Sequence, residues 1–312
     1  MVHDVLAVLV GLVLLVVAGD LLVRGAVNLA LRLGIPSLIV GLTVVAFGTS
    51  APELLVSVKA VLDHAPGIAL GNVVGSNIAN ILLVLGIPAV ISVIHAGDAH
   101  ARRSYLTMLA ATLLFVLVAF LGPIRWPHAL VLLAGLGLML WDNYRKAKAH
   151  RDAEEEDLEG ADPALPMWRI AIYTVLGLIG LPLAADLLVD GAVGIARIYD
   201  VSETVIGLTL VAVGTSLPEL ATSITAALRR EADVAMGNVI GSNVFNLLGI
   251  IGIAGLLGPL PVPASMLDFD LWAMLVATLA LAPFVLGRRD ITRFWGFTLI
   301  AGYVAFLVAL TH

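Results

Sequence analysis

Long apolar runs broken by glycine, proline and paired charges set the rhythm of this chain, and the runs are too long for strands. Val5–Val17, Tyr105–Leu121 and Leu271–Leu286 are examples. A helix needs about 20 mostly apolar residues to cross the hydrocarbon of a bilayer, whereas spanning strands would appear as alternating segments of about 10 residues. With the breaks as punctuation, the pattern predicts ten transmembrane helices, over 4–33, 36–62, 67–92, 104–121, 127–145, 168–198, 203–228, 233–257, 269–286 and 292–311. The sizeable polar stretch runs from Lys146 to Pro166 and carries Glu154-Glu155-Glu156-Asp157. It divides the chain into a first five-helix unit, 1–145, an acidic linker, 146–167, and a second five-helix unit, 168–312. The start, Met-Val-His-Asp, lacks the positive region of a signal peptide, so the first apolar run is expected to be a retained helix.

Composition supports the same class. Of 312 residues, 60% are hydrophobic and 13% charged, with a mean hydropathy of +1.05. A soluble domain is nearer half apolar and a quarter charged. The chain is therefore read as an all-α membrane protein. It has no cysteine, which removes disulfides, thiolate metal ligation and thiol redox chemistry. A net charge of −6 with no basic cluster gives no footing for nucleic acid. Basic residues bias the turns instead. Arg24, Arg32, Arg102, Arg103, Arg145, Lys146, Lys148, Arg151, Arg169, Arg229, Arg230, Arg288, Arg289 and Arg293 fall on one side, against Lys59, Arg125 and Arg197 on the other, 14 to 3. Positive charge is retained in the cytoplasm, so both termini are expected outside and the linker inside.

The two units repeat. Gly41–Ala60 reads GLTVVAFGTSAPELLVSVKA and Gly207–Ala226 reads GLTLVAVGTSLPELATSITA; Gly71–Gly86 reads GNVVGSNIANILLVLG and Gly237–Gly252 reads GNVIGSNVFNLLGIIG. The motif regions, 41–86 and 207–252, align at a constant offset of 166, which Asp20 and Asp186 also keep. Each unit has an odd number of spans, so the second enters the membrane from the opposite side and the repeats are inverted. Inverted repeats place substrate at their interface, on interrupted helices near the midplane.

What occupies the repeated positions points to a cation. Each unit has Gly-Thr-Ser-x-Pro-Glu in mid-span. Proline removes a backbone donor and glycine tolerates unusual dihedrals, so a break is expected there that frees carbonyls such as those of Ala46, Thr49, Ala212 and Thr215. The hydroxyls of Thr49, Ser50, Thr215 and Ser216 stand beside them, followed by the carboxylates of Glu53 and Glu219. An ionisable group at bilayer depth costs roughly 2.5–3.5 kcal/mol on insertion scales and marks an ion pathway. Neither glutamate has an evident basic partner within its span. In the next span Ser76 and Asn80, and Ser242 and Asn246, stand at i and i+4 on one helix face, while Gly71, Gly75, Gly237 and Gly241 permit close helix approach. All these donors are oxygen, which suits hard cations; Ca²⁺ takes about 6–8 such ligands. Taken singly, each Ser, Thr or Asn could merely bond two helices together; the paired glutamates carry the ionic reading.

Other polar residues say less. Asp20 precedes Arg24 by four residues, the spacing of a local ion pair. Asp186 and Asp190 show no such partner, and the sequence assigns them no role. His3, His64, His95, His100, His128, His150 and His312 fall at span ends or in loops, against haem ligation or a histidine proton relay. The run Glu154–Asp157 reads as solvated linker.

The doubled Gly-Thr-Ser-x-Pro-Glu and Gly-Ser-Asn-x-x-Asn motifs resemble the alpha-repeats of the sodium/calcium exchanger family, within the Ca²⁺/cation antiporter superfamily, and of its prokaryotic inner-membrane members. The resemblance covers the ten-span plan and the central loop. It implies that Glu53 and Glu219 bridge a central Ca²⁺ and flanking Na⁺ ions, and that Thr49 and Thr215 contribute to the same cluster. The Ala46 and Ala212 carbonyls with Ser76 and Ser242 would complete outer and inner Na⁺ sites, and Asn80 and Asn246 would sit at the centre. Some members, including the potassium-dependent branch, have aspartate where Asn246 stands, and some prokaryotic relatives carry a further carboxylate centrally. Two amides here imply K⁺-independent exchange of about three Na⁺ for one Ca²⁺, moving one net charge worth about 2.3 kcal/mol per 100 mV. The first and sixth spans are expected to slide against a steadier core.

The expected function is thus a secondary antiporter in a bacterial or archaeal cell membrane, with Na⁺, Ca²⁺ and lipid as partners. No catalytic residue or cofactor is expected. A proton/Ca²⁺ antiporter of the same superfamily is the alternative, ahead of a cation channel or a membrane enzyme, for which no nucleophile accompanies the carboxylates. Affinities, divalent selectivity, direction of flux and oligomeric state are left open by the sequence.

Overall fold

The computed structural model describes residues 2–33, 46–96, 99–149, 162, 164–228 and 232–310. Helices dominate them: α1 (Val2–Arg32), α2 (Ala46–Thr49 and Ala51–Leu62), α3 (Pro66–Ile91), α4 (Ala99–Phe120), α5 (Trp126–Ala149), α6 (Met167–Tyr199), α7 (Glu203–Thr215 and Leu217–Leu228), α8 (Ala232–Val244, continuing to Leu257), α9 (Met266–Val285) and α10 (Arg293–Ala309). Among the described residues six helices are long and apolar enough to cross a membrane, the bent pair of α7 adds a seventh, and the apolar stretches Trp126–Asp142 and Arg293–Ala309 are shorter. The start of the expected span 36–62 and most of the acidic linker lie outside the described residues. Helix α5 passes the expected end at 145 and runs to Ala149, because Arg and Lys are good helix formers and need no apolar neighbours once clear of the lipid.

The exterior is apolar, and a group of polar side chains is buried within the hydrophobic interior. Val5, Leu9, Val13 and Val17 on α1, and Val175, Ile179 and Leu183 on α6, are exposed. Glu53, Asn72, Ser76, Asn80, Glu219 and Asn246 have no accessible surface. Acyl chains solvate such an exterior, and polar groups that find no water at that depth must be satisfied within the protein.

Packing obeys the repeat. Helices α1 and α6 lie side by side, with Gly11 against Leu188 and Gly177 against Leu22, then Gly25 against Thr174 and Gly191 against Val8. Numbers rise along one helix as they fall along the other, so the pair is antiparallel. Adding 166 to the α1 member of one contact gives the α6 member of its twin, as a two-fold axis between inverted repeats requires. A Cβ on Gly177 would stand 2.7 Å from the Leu22 Cα, so glycine lets the two backbones touch. Helix α3 meets α7 in the same way. A Cβ on Gly75 would fall 2.5 Å from the Leu208 carbonyl oxygen, and one on Gly71 would collide with that of Thr204. The residues opposite Gly237 and Gly241 by the repeat offset, 38–42, lie outside the described residues.

Candidate cation site

Both mid-span breaks form as expected. Ser50 (φ −89°, ψ 10°) and Ser216 (φ −80°, ψ 5°) sit between two helical pieces in the sparsely populated bridge region. Pro52 and Pro218 follow two residues later and cannot donate to the carbonyls one turn back, those of Gly48 and Gly214. In α7 the two pieces meet at 41°. The expectation that Ala212 is among the freed carbonyls needs correcting. Its oxygen accepts the Ser216 N–H at 3.1 Å, because the proline deletes the donor to Gly214 and leaves that of Ala212 intact. The same oxygen also meets the hydroxyls of Ser76 and Thr215, each at 3.4 Å.

At these breaks the halves exchange hydrogen bonds. Ser50 Oγ donates to Glu219 Oε1 at 3.0 Å, and its twin Ser216 Oγ donates to Glu53 Oε1 at 3.5 Å. Each serine is three residues from its own glutamate and bonds to the other, so the two carboxylates converge across the axis. Ser242 Oγ also donates to Glu219 Oε1, at 3.4 Å, bringing α8 to the same point. Asn246 follows Ser242 by one turn, and Asn80 follows Ser76.

Two further π-helical segments mark these asparagines, Asn80–Val84 and Phe245–Ile250. They lie at equivalent positions, and such widened turns concentrate at functional sites. Asn80 Nδ2 donates to Asn243 Oδ1 at 3.0 Å. Among the described residues, the buried acceptor oxygens left without a donor include Glu53 Oε2, Glu219 Oε2, Asn80 Oδ1 and Asn246 Oδ1, all on fully buried residues, and Asn77 Oδ1 on the same helix as Asn80. An unmet buried acceptor costs about 1–3 kcal/mol, more when charged. A cation supplies the positive charge such atoms lack. Among the described residues no group of three or more His, Cys, Asp and Glu gathers, so the donor set is two carboxylates and neutral oxygens.

Of the expected site residues, the structure thus links Glu53, Glu219, Ser50, Ser216, Thr215, Ala212, Ser76 and Ser242 directly, with Asn80 and Asn246 on the same helices. Thr49 is buried at the end of the piece Ala46–Thr49, which Ala46 opens; the Ala46 side chain lies outside the described residues. Sequence reasoning missed Asn72, Asn77 and Asn243. Asn72 Nδ2 donates to the Glu53 carbonyl (3.2 Å) and Ser57 Oγ (3.0 Å), and Asn72 Oδ1 accepts from Thr215 Oγ1 (3.0 Å). Asn243 Nδ2 donates to the Asn77 carbonyl at 3.2 Å, tying α3 to α8. The signal was present, since Asn72 and Asn77 recur as Asn238 and Asn243.

Three acidic residues outside the site resolve as well. Asp20 pairs with Arg24 at 2.9 Å as expected. Asp186 does have a partner: Lys59 Nζ lies 3.2 Å from it and 2.9 Å from Asp63. Lys59 is a base in the same span as Glu53, but it stands at the span's end, paired with Asp63 one turn on and with Asp186 of α6, a partner that spacing along one helix could not reveal. Asp190 is exposed. Partly exposed ion pairs contribute roughly 0.2–1 kcal/mol. Lys59→Ala is accordingly expected to lower thermal stability only slightly, which a melting curve of the purified protein checks.

Known proteins are similar over nearly the whole chain. The family described as sodium/calcium exchanger protein matches residues 3–143 and 169–312. The chain is 34% identical to the sodium/calcium exchanger MaX1 of Methanosarcina acetivorans, over 98% of each chain. It is also 34% identical to the inner membrane protein YrbG of Escherichia coli, over 97% of this chain and 95% of that one. Among solved structures, the sodium-calcium exchanger NCX_Mj soaked with 10 mM Na⁺ and zero Ca²⁺ aligns at a TM-score of 0.70 and 34% identity, covering 99% of both chains. By its fold, its doubled motifs and these matches, this chain belongs to the sodium/calcium exchanger family.

Proposed function

We propose that the chain is a secondary antiporter that exchanges Na⁺ for Ca²⁺ by alternating access. The observation that carries this reading is the pair of buried carboxylates, one from each inverted half, each bonded to a serine of the other half and each with one oxygen unmet. Membership of the exchanger family and the names of the relatives support the choice of ions. In this reading Glu53 and Glu219 bind both substrates, so Ca²⁺ and Na⁺ compete for one set of charges. Thr49, Ser50, Thr215, Ser216, Ser76 and Ser242, the carbonyl of Ala46, and the amides Asn80 and Asn246 complete the oxygen shell. A hydroxyl that donates its proton outward, as Thr215 does to Asn72, keeps its lone pairs for a cation.

Charge fixes the coupling proposed. Two carboxylates balance one Ca²⁺, whereas about three Na⁺ would leave the site one charge positive, so a cycle would move one net charge. Among the described residues no third carboxylate joins the pair to call for K⁺. The termini are placed outside and the linker in the cytoplasm by the basic-residue bias. The long helices α1 and α6 are the moving pair, their glycine seam lacking side chains that would interlock.

Na⁺-gradient-driven ⁴⁵Ca²⁺ uptake into proteoliposomes tests the coupling ion. Uptake is expected to follow the Na⁺ gradient and to reverse at a potential set by one charge per cycle. Uptake driven by a pH gradient instead would make the chain a proton/Ca²⁺ antiporter, and an electroneutral cycle would refute the stoichiometry.

A further inference from the structure

The two halves carry the same residues around Asn72 and Asn238, yet bond them differently. Asn72 gathers three helices at the face where α2 ends in Lys59 and Asp63. It sits on α3, donates to Ser57 Oγ and the Glu53 carbonyl of α2, and accepts from Thr215 of α7, which belongs to the other half. Asn72 and Ser57 have no accessible surface. The repeat places the same groups at the opposite face, where α7 ends at Leu228: Asn238, Ser223, the Glu219 carbonyl and Thr49. There the tie is undone. Asn238 Nδ2 and Ser223 Oγ are both buried and neither has a partner.

An amide donor and a hydroxyl kept from water without a partner are costly. Retention of the pair at the mirror position is then explained if another conformer uses it. The sequence can make an identical three-helix tie at either face, and here it makes one. Inverted repeats exchange conformations when the protein turns its site from one side to the other. We propose that Asn72 and Asn238 are positioning residues that tie shut one face of the cation site at a time, Asn72 in the conformer seen here and Asn238 in the opposite one. This rests on the alternating-access reading above. The tie closes on the carbonyls and hydroxyl neighbours of the two glutamates, and so links gate closure to the residues proposed to hold the ion.

Removing one tie should favour the conformer that the other closes. An ion's apparent affinity at a face scales with the fraction of protein open to that face, and one hydrogen bond shifts that fraction by roughly three- to tenfold. The experiment is ⁴⁵Ca²⁺ exchange by the full chain in sided vesicles, with Ca²⁺ titrated on one face at a time. Asn72→Ala is expected to raise apparent Ca²⁺ affinity at the Lys59 face and lower it at the Leu228 face, about three- to tenfold each. Asn238→Ala is expected to do the reverse, and the double variant to return the face ratio towards that of the unaltered chain. Ser57→Ala and Ser223→Ala, which remove a single small partner, should move the ratio in the same two directions by less. If the unaltered chain exchanges ions but both members of each pair move the ratio the same way, or leave it unmoved, the alternating tie is wrong and transport stands. If the unaltered chain exchanges nothing, the transport reading falls and the tie falls with it.

Discussion

Glu53→Gln or Glu219→Gln is expected to abolish Ca²⁺ uptake while leaving a folded, membrane-inserted protein. Glutamine keeps the shape, and its amide oxygen still accepts from Ser50 or Ser216. The lost quantity is one of two buried negative charges facing a doubly charged ion. Breaking a buried ionic interaction by removing one member costs on the order of 3–5 kcal/mol, which corresponds to roughly two to three and a half orders of magnitude in affinity. The remaining carboxylate would leave bound Ca²⁺ half compensated in a buried site. Uptake of ⁴⁵Ca²⁺ should fall to the level of empty liposomes, with the elution profile and helical content unchanged. A variant that still transports Ca²⁺ at a tenth of the original rate or better would move the site elsewhere.

The second large effect concerns the fold. Gly75→Ala is expected to destabilise the protein or prevent its accumulation. A Cβ at this position would lie 2.5 Å from the Leu208 carbonyl oxygen, 2.7 Å from the Leu208 Cα and 2.8 Å from the Ala212 Cβ. Two of those atoms belong to a backbone and cannot rotate away, so α3 and α7 must separate. Overpacking of this kind costs about 1–3 kcal/mol and sometimes more. Since Ala212 stands in the candidate site, the displacement also reaches the ion. Gly137 is exposed on α5 and nothing lies within 4 Å of its Cβ direction. Gly137→Ala should therefore be neutral or slightly stabilising, by up to about 1 kcal/mol from helix propensity. Melting temperatures of the two variants in detergent provide the comparison.

Much of this was readable beforehand, for identifiable reasons. Lipid imposes a minimum length on apolar helices, so the spans could be placed to within a few residues at most ends. The 166-residue offset brought Glu53 and Glu219 together before any coordinates, because inverted halves must meet at their axis. Hydrogen-bond direction was not readable. Spacing along one helix cannot say that Ser50 serves Glu219 rather than Glu53, nor that Lys59 reaches Asp186 on α6. The same limit hid Asn72 and Asn243, whose partners lie on other helices. Even the carbonyl expected to be free at Ala212 failed on a count of four residues: proline silences the donor to Gly214, not the one to Ala212.

The crossed serines have a consequence for ancestry. A polypeptide consisting of one five-helix half would lack the serine hydroxyl that reaches its glutamate from the other half's helix break, since that group arrives from a neighbour inserted upside down. Such a half would work only as a pair of identical chains threaded through the bilayer in both directions, and joining them end to end would fix their partnership in a single gene.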